Sequence, residues 1–186
     1  MNKKWSTNGA PNLQWLGMAE LCLFLDAFWA EEGFVDRRAL EIGSHMGEGL
    51  SMLAASGIFN KIDVIEPFAG EEPFNKEFDW DWSEIRLEWQ RNTKWFDDII
   101  TLYRGYSYDL HENFKDRAYD FIYIDGPVDN KNNVNYICND INIIPKKDNF
   151  VALLDYRLKT YAYLRKDKNY YCQFSLFNKS ELIFKR

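Results

Sequence analysis

The sequence contains few cysteines and histidines, and this scarcity excludes several kinds of site. Its three cysteines, Cys22, Cys138 and Cys172, lie far apart and form no CxxC pair, so neither a zinc site nor a disulfide framework is expected. We interpret them as small buried hydrophobes in a reducing cytosol. The two histidines form no recognisable catalytic triad with a serine or cysteine nucleophile, so triad chemistry is unsupported.

The sequence also lacks long apolar runs and an excess of positive charge. Its most apolar stretch, residues 21–30, is interrupted by Asp26 and is too short to cross a bilayer. No apolar region directly follows the lysines near the N-terminus, so no signal peptide is expected. A net charge of −6 disfavours binding to phosphate backbones. We therefore expect a soluble, cytoplasmic protein that binds neither membranes nor nucleic acid.

The chain has the length and pattern of one α/β domain. Its 186 residues suffice for a single core. Predicted strands alternate with predicted helices, which favours a mostly parallel sheet between two helix layers. The last two strands are joined by a turn too short for a crossover and are therefore expected to be antiparallel. We predict a single domain over residues 1–186, a three-layer α/β sandwich with a mostly parallel seven-stranded sheet and an antiparallel C-terminal strand pair. The predicted strands are 38–42, 61–66, 99–104, 119–124, 150–154, 170–177 and 181–185; the main predicted helices are 12–31, 47–56, 82–96, 107–114 and 132–141.

A glycine-rich turn follows the first predicted strand, with glycines at positions 43, 47 and 49. Ligands of open α/β sheets bind outside the carboxyl ends of the strands, and glycines there allow the backbone to approach a ligand closely. A dinucleotide fingerprint that begins at Gly43 requires glycines at positions 45 and 48, which hold His45 and Glu48. This pattern weakens an NAD-binding interpretation.

Glu66 ends the second predicted strand, next to the glycine turn in such a sheet. A carboxylate at this place can accept hydrogen bonds from both hydroxyls of a ribose. The alternative is an ordinary exposed acid at a strand end. Together with the glycine turn, Glu66 indicates a nucleoside-binding site.

The segments at the strand ends resemble those of class I S-adenosylmethionine-dependent methyltransferases. The resemblance extends over about residues 38–156, and the closing strand pair is similar to the last two strands of that family. The last similar segment is typical of a branch with small-molecule and sugar O-methyltransferases, some of them metal-dependent. In chain order the similar segments are residues 39–47 (ALEIGSHMG), Glu66-Pro67-Phe68, Gly105-Tyr106-Ser107, Tyr123-Ile124-Asp125-Gly126 and Leu154-Asp155-Tyr156.

This resemblance implies a Rossmann-like fold and an O-methyltransferase that moves a methyl group from S-adenosylmethionine to a hydroxyl of a small molecule, with a saccharide as one candidate. The alternatives are a non-catalytic S-adenosylmethionine-binding module and a nucleotide-dependent oxidoreductase. The implied cofactor residues are Glu41 facing the methionine amino group, Gly43, Ser44 and Gly47 around the methionine, Glu66 and Pro67 at the ribose, Tyr106 and Ser107 beside the adenine, and Asp125 near the sulfonium.

Asp125 and Asp155 are the candidate catalytic residues. They follow the fourth and fifth predicted strands, which are neighbours in the expected fold, so their carboxylates are expected to converge. Together they suit Mg²⁺, which prefers oxygen ligands and would lower the pKa of a substrate hydroxyl. The alternative is that one carboxylate acts as a general base. Pro127, Val128 and Asp129 stand where many members of the resembled family have a histidine, which disfavours a histidine base.

An acidic segment rich in aromatic residues, 71–96, follows the second predicted strand. Rings beside acceptors suit a sugar or amine substrate. The alternative is a helix that packs into the core and contributes an interface between copies of the chain in a homo-oligomer. We expect this segment to shape the substrate pocket rather than the cofactor site.

Overall fold

The computed structural model describes residues 13–32, 36–69, 81–124, 146–154, 170–174 and 181–185; in the last three ranges it describes the backbone. The helices are α1 (Leu13–Phe28), α2 (Glu48–Ala55), α3 (Trp82–Thr93) and α4 (Ser107–Leu110), with short 3₁₀ turns at Ala30–Glu32, Lys94–Phe96 and His111–Asn113. The strands are β1 (Arg38–Ile42), β2 (Lys61–Ile65), β3 (Ile100–Tyr103), β4 (Tyr119–Ile124), β5 (Lys146–Leu154), β6 (Tyr170–Phe174) and β7 (Glu181–Lys185).

The predicted parallel α/β sheet is confirmed. Strands β3, β2, β1 and β4 are neighbours in that order and all run parallel. Backbone pairing continues from β4 to a parallel β5, then to β7 and β6, with β7 antiparallel to both β5 and β6. Strand β5 begins at Lys146, four residues earlier than expected, because Lys146 already pairs with Tyr119 before an irregularity in the register.

Helices α1, α2 and α3 cover one face of the parallel strands. The sheet contributes alternate side chains such as Ala39, Ile62 and Phe121, since successive residues of a strand point to opposite faces. Against them pack buried residues of the helices, including Leu25 of α1 and Leu53 of α2. Burial of this face fixes the strand register and hence the relative positions of the strand ends.

A polar cluster lies on the opposite face of the sheet, centred on the buried Asp63 of β2. The Tyr119 hydroxyl donates a 2.6 Å hydrogen bond to Asp63, and Arg117 lies 3.2 Å from the same carboxylate oxygen. Burial, together with the Asp63 carboxylate, raises the pKa of the Tyr119 hydroxyl. Arg117 also donates to the Tyr103 hydroxyl. The cluster thereby connects β2, β3 and β4.

Among the helices that the structure describes, none is long and apolar enough to cross a bilayer.

Candidate functional site

Three of the predicted motifs meet at one edge of the sheet, as expected for the carboxyl ends of parallel strands. The N–H of Gly43 donates to the carbonyl of Ile65 at 2.9 Å, and the N–H of Glu66 donates to the carbonyl of Tyr103 at 3.2 Å. Sheet hydrogen bonding therefore continues one residue beyond β1 and β2. This brings together the segment 43–47, which we call the glycine loop, Glu66 and the turn that follows β3.

The glycine loop has an unusual backbone conformation. Its φ angles are positive at Gly43 (86°), His45 (49°) and Gly47 (71°), and Phe68 just beyond β2 also has a positive φ of 50°. Non-glycine residues rarely adopt this region, and such strain often accompanies functional sites. The conformation at Gly43 and Gly47 explains why glycine stands at both positions.

Glu66 stabilises this strained backbone with both of its carboxylate oxygens. Oε2 accepts hydrogen bonds from the N–H groups of Ser44 (2.9 Å) and His45 (2.8 Å), and Oε1 accepts one from the N–H of Phe68 (2.7 Å). Two of these donors, His45 and Phe68, are the non-glycine residues with positive φ in the part of the chain that the structure describes. Burial raises the pKa of Glu66, and the three hydrogen bonds oppose that shift.

The interpretation of Glu66 as an ordinary exposed acid at a strand end is wrong, because its side chain is only 4% exposed. The carboxylate still has acceptor capacity, since each oxygen carries two lone pairs and Oε1 accepts only the Phe68 bond among those above. A ligand hydroxyl that approaches Oε1 therefore need not displace the glycine loop.

Helix α3 contacts every residue of the glycine loop from Ser44 to Gly47. The Asn92 side chain donates a hydrogen bond to the Met46 carbonyl at 2.9 Å. The Trp82 ring meets the His45 ring edge-on, with 6.2 Å between the ring centroids. Helix α3 itself begins at a fixed point, because the Asp81 side chain caps its N-terminus by accepting from the Ser83 and Glu84 N–H groups.

Trp89 makes the innermost of these contacts. Its indole N–H donates a 3.0 Å hydrogen bond to the hydroxyl of Ser44, and both residues are buried. A Cβ added to Gly47 would lie 2.8 Å from the Trp89 ring, so glycine is required there for space as well as for φ. Helix α3, which belongs to the segment expected to shape the substrate pocket, thus packs directly on the predicted cofactor loop.

The other predicted cofactor residues lie beside this edge. Glu41, near the end of β1, is 2% exposed, and Pro67 follows Glu66 directly. Beyond β3, Ser107 is buried, while the Tyr106 ring stacks on Tyr108 with centroids 5.2 Å apart.

The candidate catalytic residues Asp125 and Asp155 lie outside the described residues. The residues directly before them, Ile124 and Leu154, are register partners in the parallel β4–β5 pair. Within the ranges that the structure describes, no group of three or more His, Cys, Asp or Glu residues is arranged to hold a metal ion.

Sequence reasoning did not identify the roles of Trp89 and Asn92. The sequence indicates them only through helical spacing. Residues 82, 85, 89 and 92 are three or four positions apart and therefore lie near one another on the helix surface. Such spacing predicts that Trp89 faces inward, but it does not reveal that the indole N–H reaches Ser44.

No protein-family model matches the sequence, and no curated protein matches it. Solved structures resemble the fold. A Staphylococcus aureus protein assigned as a caffeoyl-CoA O-methyltransferase has a TM-score of 0.67 and 15% identity, with 96% of this chain and 87% of that chain covered.

Two further solved structures are similar. The O-methyltransferase TomG from Streptomyces achromogenes, solved in complex with S-adenosylmethionine, has a TM-score of 0.60 and 11% identity over 91% of this chain and 79% of its own. CalS11, a TDP-rhamnose 3′-O-methyltransferase of calicheamicin biosynthesis, has a TM-score of 0.59 and 12% identity over 90% of this chain and 79% of its own. At these identities the likeness concerns the fold, and the chain therefore has the Rossmann-like fold of S-adenosylmethionine-dependent methyltransferases.

Proposed function

We propose that this chain is an S-adenosylmethionine-dependent methyltransferase that acts on a hydroxyl group of a small molecule. The observation that carries the proposal is the position of the Glu66 carboxylate on the N–H groups of Ser44 and His45. In dinucleotide sites the backbone at the corresponding turn receives a pyrophosphate. Here an internal carboxylate already occupies these two donors, so they are not available to a pyrophosphate. A nucleoside cofactor without a pyrophosphate suits the site better.

The remaining residues of the edge suit the parts of this cofactor. The carboxylate of Glu41, which is buried, would accept a hydrogen bond from the methionine ammonium group, and Gly43, Ser44 and Gly47 would surround the methionine. Glu66 and Pro67 would bind the ribose, through the remaining acceptor capacity of Oε1. Tyr106 and Ser107 would lie beside the adenine. When bound, S-adenosylmethionine supplies an electrophilic methyl group on a sulfonium, and the chain contributes mainly proximity and in-line orientation of the accepting oxygen.

Asp125 and Asp155 are our candidates for removing the proton from the accepting hydroxyl. The pairing of Ile124 with Leu154 supports a common location for the two carboxylates at the sheet edge. Either one of them acts as general base, with Asp125 also near the sulfonium, or the two together hold Mg²⁺. A saccharide is one candidate substrate, because CalS11, a protein of similar fold, acts on TDP-rhamnose.

We further propose that residues 1–186 form a single domain whose seven-stranded sheet closes with the antiparallel strands β6 and β7. The backbone pairings of β5 with β7 and of β7 with β6 support this arrangement. An assembly of several copies would place part of the segment 71–96 at an interface.

The expected cofactor selectivity can be measured by calorimetric titration of the purified chain. S-adenosylmethionine and its demethylated product S-adenosylhomocysteine are expected to bind with micromolar affinity, whereas NAD is expected not to bind, because its pyrophosphate would meet the Glu66 carboxylate. Binding of NAD without binding of S-adenosylhomocysteine would contradict the proposed function.

The Mg²⁺ alternative makes a separate prediction. If Asp125 and Asp155 hold the ion together, titration of Mg²⁺ into the chain saturated with S-adenosylhomocysteine gives a binding signal that Asp125→Asn and Asp155→Asn each abolish. Asp155→Asn is expected to retain affinity for S-adenosylhomocysteine, which serves as the control. Absence of a signal in the unmodified chain would assign proton removal to a carboxylate acting alone.

A further inference from the structure

Two backbone N–H donors of the glycine loop already donate hydrogen bonds to Glu66. The N–H groups of Ser44 and His45 both point to Glu66 Oε2, and the N–H of Gly47 donates to the carbonyl of Ser44 at 2.8 Å. An anionic group of a ligand at this loop, such as the carboxylate of a methionine, therefore needs a donor other than these three. A side-chain hydroxyl in the loop is one such donor, in addition to the N–H groups at the start of α2.

Ser44 supplies such a hydroxyl, and Trp89 determines its orientation. An indole N–H is exclusively a donor, and a serine hydroxyl carries one donor hydrogen and two acceptor positions. Because Trp89 Nε1 donates to Ser44 Oγ at 3.0 Å, one acceptor position of the hydroxyl is occupied. The hydroxyl hydrogen is thereby directed away from the indole and can be donated to a ligand.

The position of Trp89 is itself fixed from several sides. The Phe68 ring meets it edge-on at 5.9 Å between centroids, and the Trp89 side chain is 8% exposed. Gly47 leaves no space for a Cβ beneath the ring. One turn further along α3, the Thr93 hydroxyl donates to the Trp89 carbonyl at 2.8 Å. A buried donor held in this way makes a hydrogen bond of defined direction.

We propose that Trp89 is a positioning residue for the cofactor: it orients the Ser44 hydroxyl as a hydrogen-bond donor to the carboxylate of the methionine part of S-adenosylmethionine. This inference rests on the proposed function and adds to it a residue of α3 that lies outside the strand-end motifs. Trp89 itself does not touch the cofactor in this role; it acts through Ser44.

The test compares two ligands that differ in the methionine part. S-adenosylhomocysteine carries the amino-acid carboxylate, whereas 5′-methylthioadenosine contains the same nucleoside without it. Trp89→Phe keeps an aromatic ring and removes the N–H. It is expected to raise the Kd of S-adenosylhomocysteine about 5- to 20-fold, because the hydrogen bond from Ser44 to the charged carboxylate is weakened. The Kd of methylthioadenosine, which has no carboxylate, is expected to rise less than about twofold.

A double-mutant cycle separates positioning from general packing. Ser44→Ala is expected to weaken binding of S-adenosylhomocysteine selectively, as Trp89→Phe does. In the Ser44→Ala background, Trp89→Phe is expected to raise the Kd of S-adenosylhomocysteine by less than about a further twofold, since the two residues act as one unit. Trp29→Phe is the matched control, because Trp29 is also a buried indole of the same core but contacts Phe59 and Arg37. It is expected to leave both affinities unchanged.

Equal weakening of both ligands by Trp89→Phe, or additive effects in the double variant, would overturn the proposal and leave Trp89 a packing residue. Failure of the unmodified chain to bind either ligand would instead contradict the proposed function. Should Trp89→Phe not fold, benzothienylalanine at position 89 replaces the N–H by sulfur, keeps the ring shape and serves for the same cycle.

Discussion

Replacing Glu66 by alanine is expected to weaken S-adenosylhomocysteine binding roughly 5- to 150-fold, which corresponds to about 1–3 kcal/mol for a lost hydrogen bond to a charged acceptor. The same change is expected to lower the free energy of unfolding by about 2–5 kcal/mol, because the buried N–H groups of Ser44 and Phe68 and the partly buried N–H of His45 lose their acceptor. Calorimetric titration measures the first effect and urea denaturation the second.

A conservative variant and a modified ligand distinguish the two roles of Glu66. Glu66→Gln keeps one acceptor oxygen and is expected to be much more stable than Glu66→Ala. It is expected to lose only the hydrogen bond from the Phe68 N–H, because its NH₂ group cannot accept that bond. If Glu66 also binds the ribose, the unmodified chain prefers S-adenosylhomocysteine over its 2′-deoxyribose analogue, and Glu66→Ala loses this preference. An unchanged preference in Glu66→Ala would assign Glu66 to the loop alone.

The second large effect is expected at Gly47. An alanine there adopts a φ of 71° and places its Cβ 2.8 Å from the Trp89 ring. The left-handed conformation costs about 1–2 kcal/mol, and the overpacking a further 1–3 kcal/mol or so. Gly47→Ala is therefore expected to destabilise the chain by about 2–5 kcal/mol and, by displacing Trp89 or the loop, to weaken S-adenosylhomocysteine binding as well.

The chain contains a matched control for this substitution. Gly57 has nearly the same φ, 70°, but no atom lies within 4 Å of a Cβ added there. Gly57→Ala is thus expected to lose only the conformational contribution of about 1–2 kcal/mol and to bind S-adenosylhomocysteine normally. Equal losses of stability in the two variants, measured by urea denaturation, would show that contact with Trp89 adds nothing.

Much of the parallel sheet could be predicted from the sequence, because its strands are short apolar segments separated by helices and turns. The predicted strand 119–124 has the same bounds as β4. Strand β5 begins before the predicted strand 150–154, since its first residues, Lys146 to Asn149, are polar and have low strand propensity; backbone pairing with β4 includes Lys146 nonetheless. Tertiary pairing outweighed local propensity at this position.

The site was predictable to the extent that strand ends determine it. The convergence of the glycine loop with Glu66 and the turn after β3 follows from parallel topology, and the glycines at 43 and 47 indicated a special backbone. The hydrogen bonds from Ser44, His45 and Phe68 to Glu66 could not be predicted, because they depend on φ angles that two non-glycine residues adopt only in the folded chain. The contact of Trp89 with Ser44 joins residues 45 positions apart, and no local pattern encodes it.

A crystal structure of the chain with S-adenosylhomocysteine tests the central claim most directly. We expect the ligand at the carboxyl edge of β1–β4, with a ribose hydroxyl within hydrogen-bond distance of Glu66 Oε1 and the methionine part along the glycine loop. The account would be contradicted by a ligand bound away from this edge, or by a ribose that makes no contact with Glu66 while the carboxylate keeps its bonds to Ser44, His45 and Phe68.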